Sequence, residues 1–148
     1  MKIRAITLFL QCKNWASVVP RVTEAAAAAL ELAEAFKAQG YEVQTTRIAM
    51  NSFEEYLPPV DTDPAACIAC VQELADALEA LQVDFFNLGP AKTAAGRALI
   101  VSMLKISPRL SATCQCADHG GVESPPVEEE RSSSSAAAAA ARSATKSD

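Results

Sequence analysis

Histidine occurs once among the 148 residues, aromatic side chains supply only 5% of them, and no apolar run approaches the ~20 residues that a bilayer-spanning helix requires. The single His119 stands in an HGG stretch. A catalytic imidazole needs a partner and a rigid shell, and with neither in view His119 is read as exposed loop. Scarce aromatics and abundant alanine leave little bulk between elements, so helices can sit close to a sheet. Basic residues are outnumbered, 13 Lys and Arg against 18 Asp and Glu, giving a net charge of −5 and a pI near 4.9. Phosphate recognition needs a basic face and none is visible, so neither nucleic acid nor an anionic membrane is an expected partner. The opening Met1-Lys2-Ile3-Arg4 enters a strand-like pattern at once, unlike a secretory or transit signal. Five cysteines, an odd number, argue without such a signal against a disulfide framework, and the cytoplasm is the expected location.

Half of the residues are apolar, enough for the core of one domain at most. Residues 3–10 read as a buried strand, with Ile6, Leu8 and Leu10 on one face and Thr7 and Phe9 on the other. Residues 18–39 read as a helix with Ser17 as N-cap and Gly40 in the left-handed position beyond its end. Its apolar arc holds Val22, Ala26, Ala29, Leu32, Ala33 and Phe36, and its polar arc Glu24, Glu31, Glu34 and Lys37. Residues 41–48 alternate as a second strand, and 51–63, with Pro58-Pro59, read as a loop. Asp63-Pro64 caps a second helix to about Leu81. Residues 83–88 form a short apolar strand that Gly89-Pro90 is expected to break. A third helix over 93–105 buries Gly96, Leu99, Ile100, Met103 and Leu104, and residues 110–116 are a weaker fourth strand. The fold class is therefore α/β, alternating β-α units with a mainly parallel sheet and right-handed crossovers.

The pattern stops near Asp118, so residues 1–117 are expected to be the folded domain. Residues 118–148 hold three glutamates at 128–130, four serines at 132–135 and six alanines at 136–141, a composition expected to stay disordered.

The segments IRAITLFL, GYEVQTTRIA and DFFNLGPA, spaced along residues 1–117, resemble the domain-of-unknown-function 711 family. The resemblance implies an α/β barrel like that of pyruvate formate-lyase and its relatives. Family members are several times longer than this chain, and four strands cannot close such a barrel, so the fold implied here is an incomplete barrel. The family supplies no catalytic residues to carry over. Glycyl-radical chemistry is not expected either, because the C-terminal radical loop of those enzymes has no counterpart in this sequence.

Cys67-Ile68-Ala69-Cys70, Cys114-Gln115-Cys116 and His119 offer enough ligands for a zinc ion. Cys67 and Cys70 fall, however, on the same helical arc as Val71, Leu74, Leu78 and Leu81, where small buried cysteines are ordinary, and no metal or other cofactor is expected. A thioredoxin-like pair is disfavoured because a Pro-rich loop, not a strand, precedes the motif. The most suggestive stretch is Gly89-Pro90-Ala91-Lys92-Thr93, which follows a strand and opens a helix. Free N–H groups and the positive helix end meet a lysine there, so Asn87, Gly89, Lys92 and Thr93 are the candidate binding residues for a small carboxylate or phosphate. An ordinary turn with Lys92 solvated is the other reading. Glu54-Glu55 and 128–130 read as solvated charge, and Trp15 as a packing anchor.

No reaction is legible, so whether the chain is an enzyme stays open. The expected function is that of a truncated family member without independent catalysis. The alternatives are an enzyme-like binder of a small anion at the C-terminal strand ends and an interaction module that self-associates through an open sheet edge.

Overall fold

The computed structural model describes residues 1–115. Cys116, His119, the glutamates 128–130 and the expected disordered tail lie outside the described residues. In chain order the elements are β1 (Lys2–Leu10), α1 (Val18–Ala38), β2 (Glu42–Met50), α2 (Pro64–Ala80), β3 (Phe85–Ala91), α3 (Ala94–Leu104) and β4 (Leu110–Cys114), with short 3-10 turns at Trp15–Ser17 and Phe53–Glu55. The four strands form one sheet in the order β1-β2-β3-β4, and every neighbouring pair is parallel. The alternating β-α topology with a parallel sheet is consistent with an incomplete α/β barrel.

Strand periodicity divides the sheet into two unlike faces. One carries Ile6, Leu8, Leu10, Ile48, Met50, Phe86, Leu88 and Leu110, which join Val18, Val22 and Ala25 of α1, Cys67, Val71, Leu74 and Leu78 of α2, and Leu99 and Met103 of α3. Ile6 is buried there, and the rest share a single core. All three helices thus cover the same side. The opposite face carries Thr7 and Phe9, Arg47 and Ala49, Phe85 and Asn87, and Ser111, aligned across the strands by the pairs Thr7↔Arg47↔Phe85 and Phe9↔Ala49↔Asn87↔Ser111. No described element packs on it, and Phe9 and Phe85 keep 82% and 42% of their surface exposed. Double coverage, the usual condition of a parallel sheet, is absent among the described residues.

Local signals act largely as their chemistry predicts. Gly40 takes φ +84°, Tyr41 N–H donates to Phe36 at 3.1 Å and Gly40 N–H to Lys37 at 3.0 Å. The Phe36 and Tyr41 rings meet edge to face with centroids 6.0 Å apart, completing a Schellman closure with its hydrophobic contact. Asp63 Oδ1 accepts from Ala66 N–H at 3.0 Å with Pro64 in the first turn of α2. Ser17 precedes α1 but does not cap it: its hydroxyl donates to Asn14 O, and Asn14 Oδ1 caps the preceding 3-10 turn instead. Trp15 packs against the core and donates from Nε1 to Glu73 at 3.3 Å. The expected arc of α1 is buried at Val22 and Ala29 and half-buried at Ala33 and Phe36, whereas Leu32 is exposed.

Two strand boundaries differ from expectation. The second strand runs on to Met50 because its ladder with β1 continues through Phe9↔Ala49 and Leu10↔Met50. Gly89-Pro90 does not break the third strand. Between Asn87↔Ser111 and Pro90↔Thr113 the register slips by one residue, so β3 carries a bulge that admits the proline and continues to Ala91. Gly89 sits in it at φ +88°, its N–H donating to Asn87 Oδ1 at 2.8 Å.

An ideal Cβ at Gly89 would lie 2.0 Å from the backbone oxygen of Asn51. Gly89→Ala therefore meets both a positive φ and a rigid backbone clash, and is expected to cost at least about 2 kcal/mol, read as a lowered urea midpoint at unchanged slope.

Candidate functional site

The C-terminal ends of β1, β2 and β3 are tied together by one polar network. Asn51, directly after β2, accepts at Oδ1 from Cys12 N–H at 2.9 Å and donates from Nδ2 to Cys12 O at 2.8 Å, locking the end of β1 to that of β2. The same Nδ2 donates to Glu55 Oε2 at 2.7 Å, and the other oxygen of Glu55 pairs with the Lys92 ammonium at the end of β3. Glu54 points its Oε1 at the start of α3, accepting from Lys92 N–H at 2.8 Å and Thr93 N–H at 3.0 Å. Thr93 caps α3, with Oγ1 accepting from Gly96 N–H at 3.0 Å. From the next turn, the buried Tyr56 hydroxyl donates to Leu88 O at 2.9 Å, and burial pushes its ionisation far up.

This geometry decides what each candidate residue touches. Gly89 and Asn87 shape the bulge, Thr93 is the N-cap, and Lys92 is ion-paired. The backbone donors foreseen for an anion are held by an internal one, the Glu54 carboxylate. Glu54 and Glu55, expected as solvated charge, are instead the acceptors at the centre of the network. Gly96 makes room for this, since an ideal Cβ there would lie 1.9 Å from Glu54 Oε1. Cys67 is buried, its thiol donating to Pro58 O at 3.1 Å, and Cys70 is half-buried. Burial pushes both thiols above their ordinary range, the reverse of what a redox-active pair requires.

Sequence reading missed Asn51, Glu54, Glu55 and Arg47. One signal was available for Glu54 and Glu55: Ser52-Phe53-Glu54-Glu55 has the S-x-x-E spacing of a capping turn directly after a strand, and Ser52 Oγ does accept from Glu54 N–H at 3.3 Å. For Arg47 the signal was its place among alternating residues on the Thr7 side of the sheet. That face holds a hollow of about 380 Å³ lined by Thr7, Arg47, Ala49, Phe85, Asn87 and Ser111. Arg47 lies over the Phe85 ring, 5.3 Å from its centroid, and has no carboxylate partner among the described residues.

The Lys92 and Asn51 hydrogen bonds hold Glu55 below the ordinary carboxylate range. A depressed folded-state pKa stabilises at pH values above the unfolded one, roughly 4.3 for glutamate, and that gain disappears as pH falls through the folded value. Lys92→Ala should therefore lower the urea midpoint at neutral pH, with the difference from wild type shrinking below about pH 4. In carboxyl-detected NMR, Glu55 should titrate higher in the variant. An unchanged Glu55 titration would remove the ion pair from the network.

Glu54 and Gly96 should also be coupled. Gly96→Ala expels the Glu54 carboxylate from the helix end and offsets the helix-propensity gain of up to about 1 kcal/mol. In a Glu54→Ala background the same change should stabilise, for an interaction energy of about 1 kcal/mol in a double-mutant cycle. A coupling near zero would place Glu54 elsewhere.

Among known proteins, the model of the family described as Uncharacterised ACR (DUF711) matches residues 1–129. No curated protein and no solved structure matches the chain. With the match covering most of the 148 residues, the chain belongs to the DUF711 family.

Proposed function

We propose that the four described strands supply the first units of an α/β barrel of the pyruvate formate-lyase type, short of a closed barrel, and have no catalytic activity by themselves. The observation that supports this is a parallel sheet in unbroken chain order with every helix on one face and Thr7, Arg47, Asn87 and Ser111 on the other. Doubly wound sheets reverse their strand order and cover both faces, whereas a barrel wall keeps its helices outside and turns its second face inward. Four strands make only part of such a wall, and the outer edges of β1 and β4 have no strand partner among the described residues. Open edges template pairing, so a second copy of the chain is the expected partner when no further strands are supplied.

The strand ends favour a second reading, a small carboxylate or phosphate bound where parallel α/β sheets hold their ligands. Asn87, Gly89, Lys92 and Thr93 are its candidate residues, and an anion reaching the Lys92 and Thr93 N–H groups would displace the Glu54 carboxylate.

The barrel reading is tested on the full chain by its mass in solution and the cooperativity of its unfolding. Self-association or a broad, non-cooperative transition is expected. A monodisperse monomer with one sharp two-state transition would mean that the four strands are a complete domain, and the barrel reading would fall.

A further inference from the structure

We propose that the uncovered sheet face binds a small organic carboxylate, with Arg47 as the residue that recognises its charge. This goes beyond the reading of that face as the inner wall of a barrel and rests on it. Arg47 stands in the middle of β2, in register with Thr7 of β1 and Phe85 of β3. Neighbouring strands are about 4.8 Å apart, so all three side chains rise from one patch. One step further along, Asn87 aligns with Ala49 and Ser111 on the same face.

The polar groups in this hollow are mostly donors. The Arg47 guanidinium offers a planar fork suited to a carboxylate and makes its only described contact with the Phe85 ring. The Asn87 carbonyl oxygen is taken by Gly89 N–H, which leaves the amide Nδ2 as the group it can offer. Thr7 adds a hydroxyl. The Ser111 hydroxyl spends its proton on Phe86 O at 3.3 Å. Among the described residues no Asp or Glu lines the hollow. In a chain with a net charge of −5, an arginine with no carboxylate partner among the described residues, on a sheet face that no described element covers, marks a place where anions are drawn in. Phe85 and Ala49 add apolar surface beside the donors, which suits a carboxylate carrying an organic group better than a strongly hydrated phosphate. The hollow, at about 380 Å³, has room for a molecule of the size of benzoate. Asn87 adjoins both this hollow and the strand ends, but the Lys92 and Thr93 donors there are already held by Glu54 and Glu55.

The test uses the full chain with benzoate, its neutral isostere benzamide, and inorganic phosphate, followed by calorimetry and amide NMR. Benzoate should bind saturably, at least tenfold tighter than benzamide and tighter than phosphate, and should shift the amides of residues 7, 47, 87 and 111. Arg47→Gln should weaken benzoate at least tenfold, Arg47→Lys less, and Lys92→Ala not at all. Arg47 is exposed and bonded to nothing in the core, so the two Arg47 variants should keep the wild-type unfolding midpoint. Equal binding of benzoate and benzamide, tighter binding of phosphate, absence of saturation, or insensitivity to Arg47→Gln would each overturn the proposal. Loss of benzoate binding in Lys92→Ala with none in Arg47→Gln would overturn it in favour of the strand ends. The mass of the same protein separates the two readings: Arg47-dependent binding by a two-state monomer would uphold the site while the barrel fell.

Discussion

A parallel sheet whose strands follow one another in chain order brings each crossover back in the same sense, so every helix arrives on the same side. In this protein that constraint gathers Val22, Val71, Leu74, Leu78, Leu99 and Met103 into one core over Ile48, Phe86 and Leu88. It also leaves Thr7, Arg47, Phe85 and Asn87 on a face that no described element covers. Core and uncovered face are two consequences of one topology. The polar character of the second face is as much a part of the fold as the apolar character of the first.

The strand ends show how three crossovers are held in register. The connection from β2 to α2 contains the turn Phe53–Glu55, and that turn supplies groups to both neighbours. Asn51 binds the backbone at the end of β1, Glu55 meets Lys92 after β3, Glu54 binds the start of α3, and Tyr56 reaches Leu88. The bulge at Gly89 belongs to the same arrangement, because only a residue without Cβ lets the Asn51 backbone approach β3 so closely. Gly96 does the equivalent for the Glu54 carboxylate. Two glycines thus fix where the acidic pair can sit. The acidic pair in turn occupies what would otherwise be an open anion position.

Much of the fold was legible in the residues. Alternation at Ile6, Leu8 and Leu10 gave the buried face of β1, and the arc through Cys67, Val71, Leu74 and Leu78 gave that of α2. Asp63-Pro64 and Gly40 marked helix ends through their own backbone chemistry. These signals are local: each depends on residues within a turn or two of chain. Gly89-Pro90 misled for the same reason, since it reads as a breaker until a neighbouring strand and a bulge are present to absorb it. Ser17 likewise has the right type and place for a cap, but Asn14 three residues earlier bonds its N–H and fixes the hydroxyl elsewhere.

By itself the sequence determined the element order, the parallel α/β class, the two faces of the first strand and the family, because these follow from periodicity, capping chemistry and fold-forming segments within short stretches of chain. Tertiary structure alone decided the partners across those stretches. Glu54 meets the backbone of Lys92 and Thr93, 38 and 39 residues away, and Asn51 meets Cys12 across 39 residues. No periodicity carries information over such distances. Arg47 stands apart for a related reason: its place on the alternating face was readable, but that the face would lie bare depended on three helices choosing the other side. The direction of a crossover belongs to the sheet as a whole, and no single strand or helix encodes it.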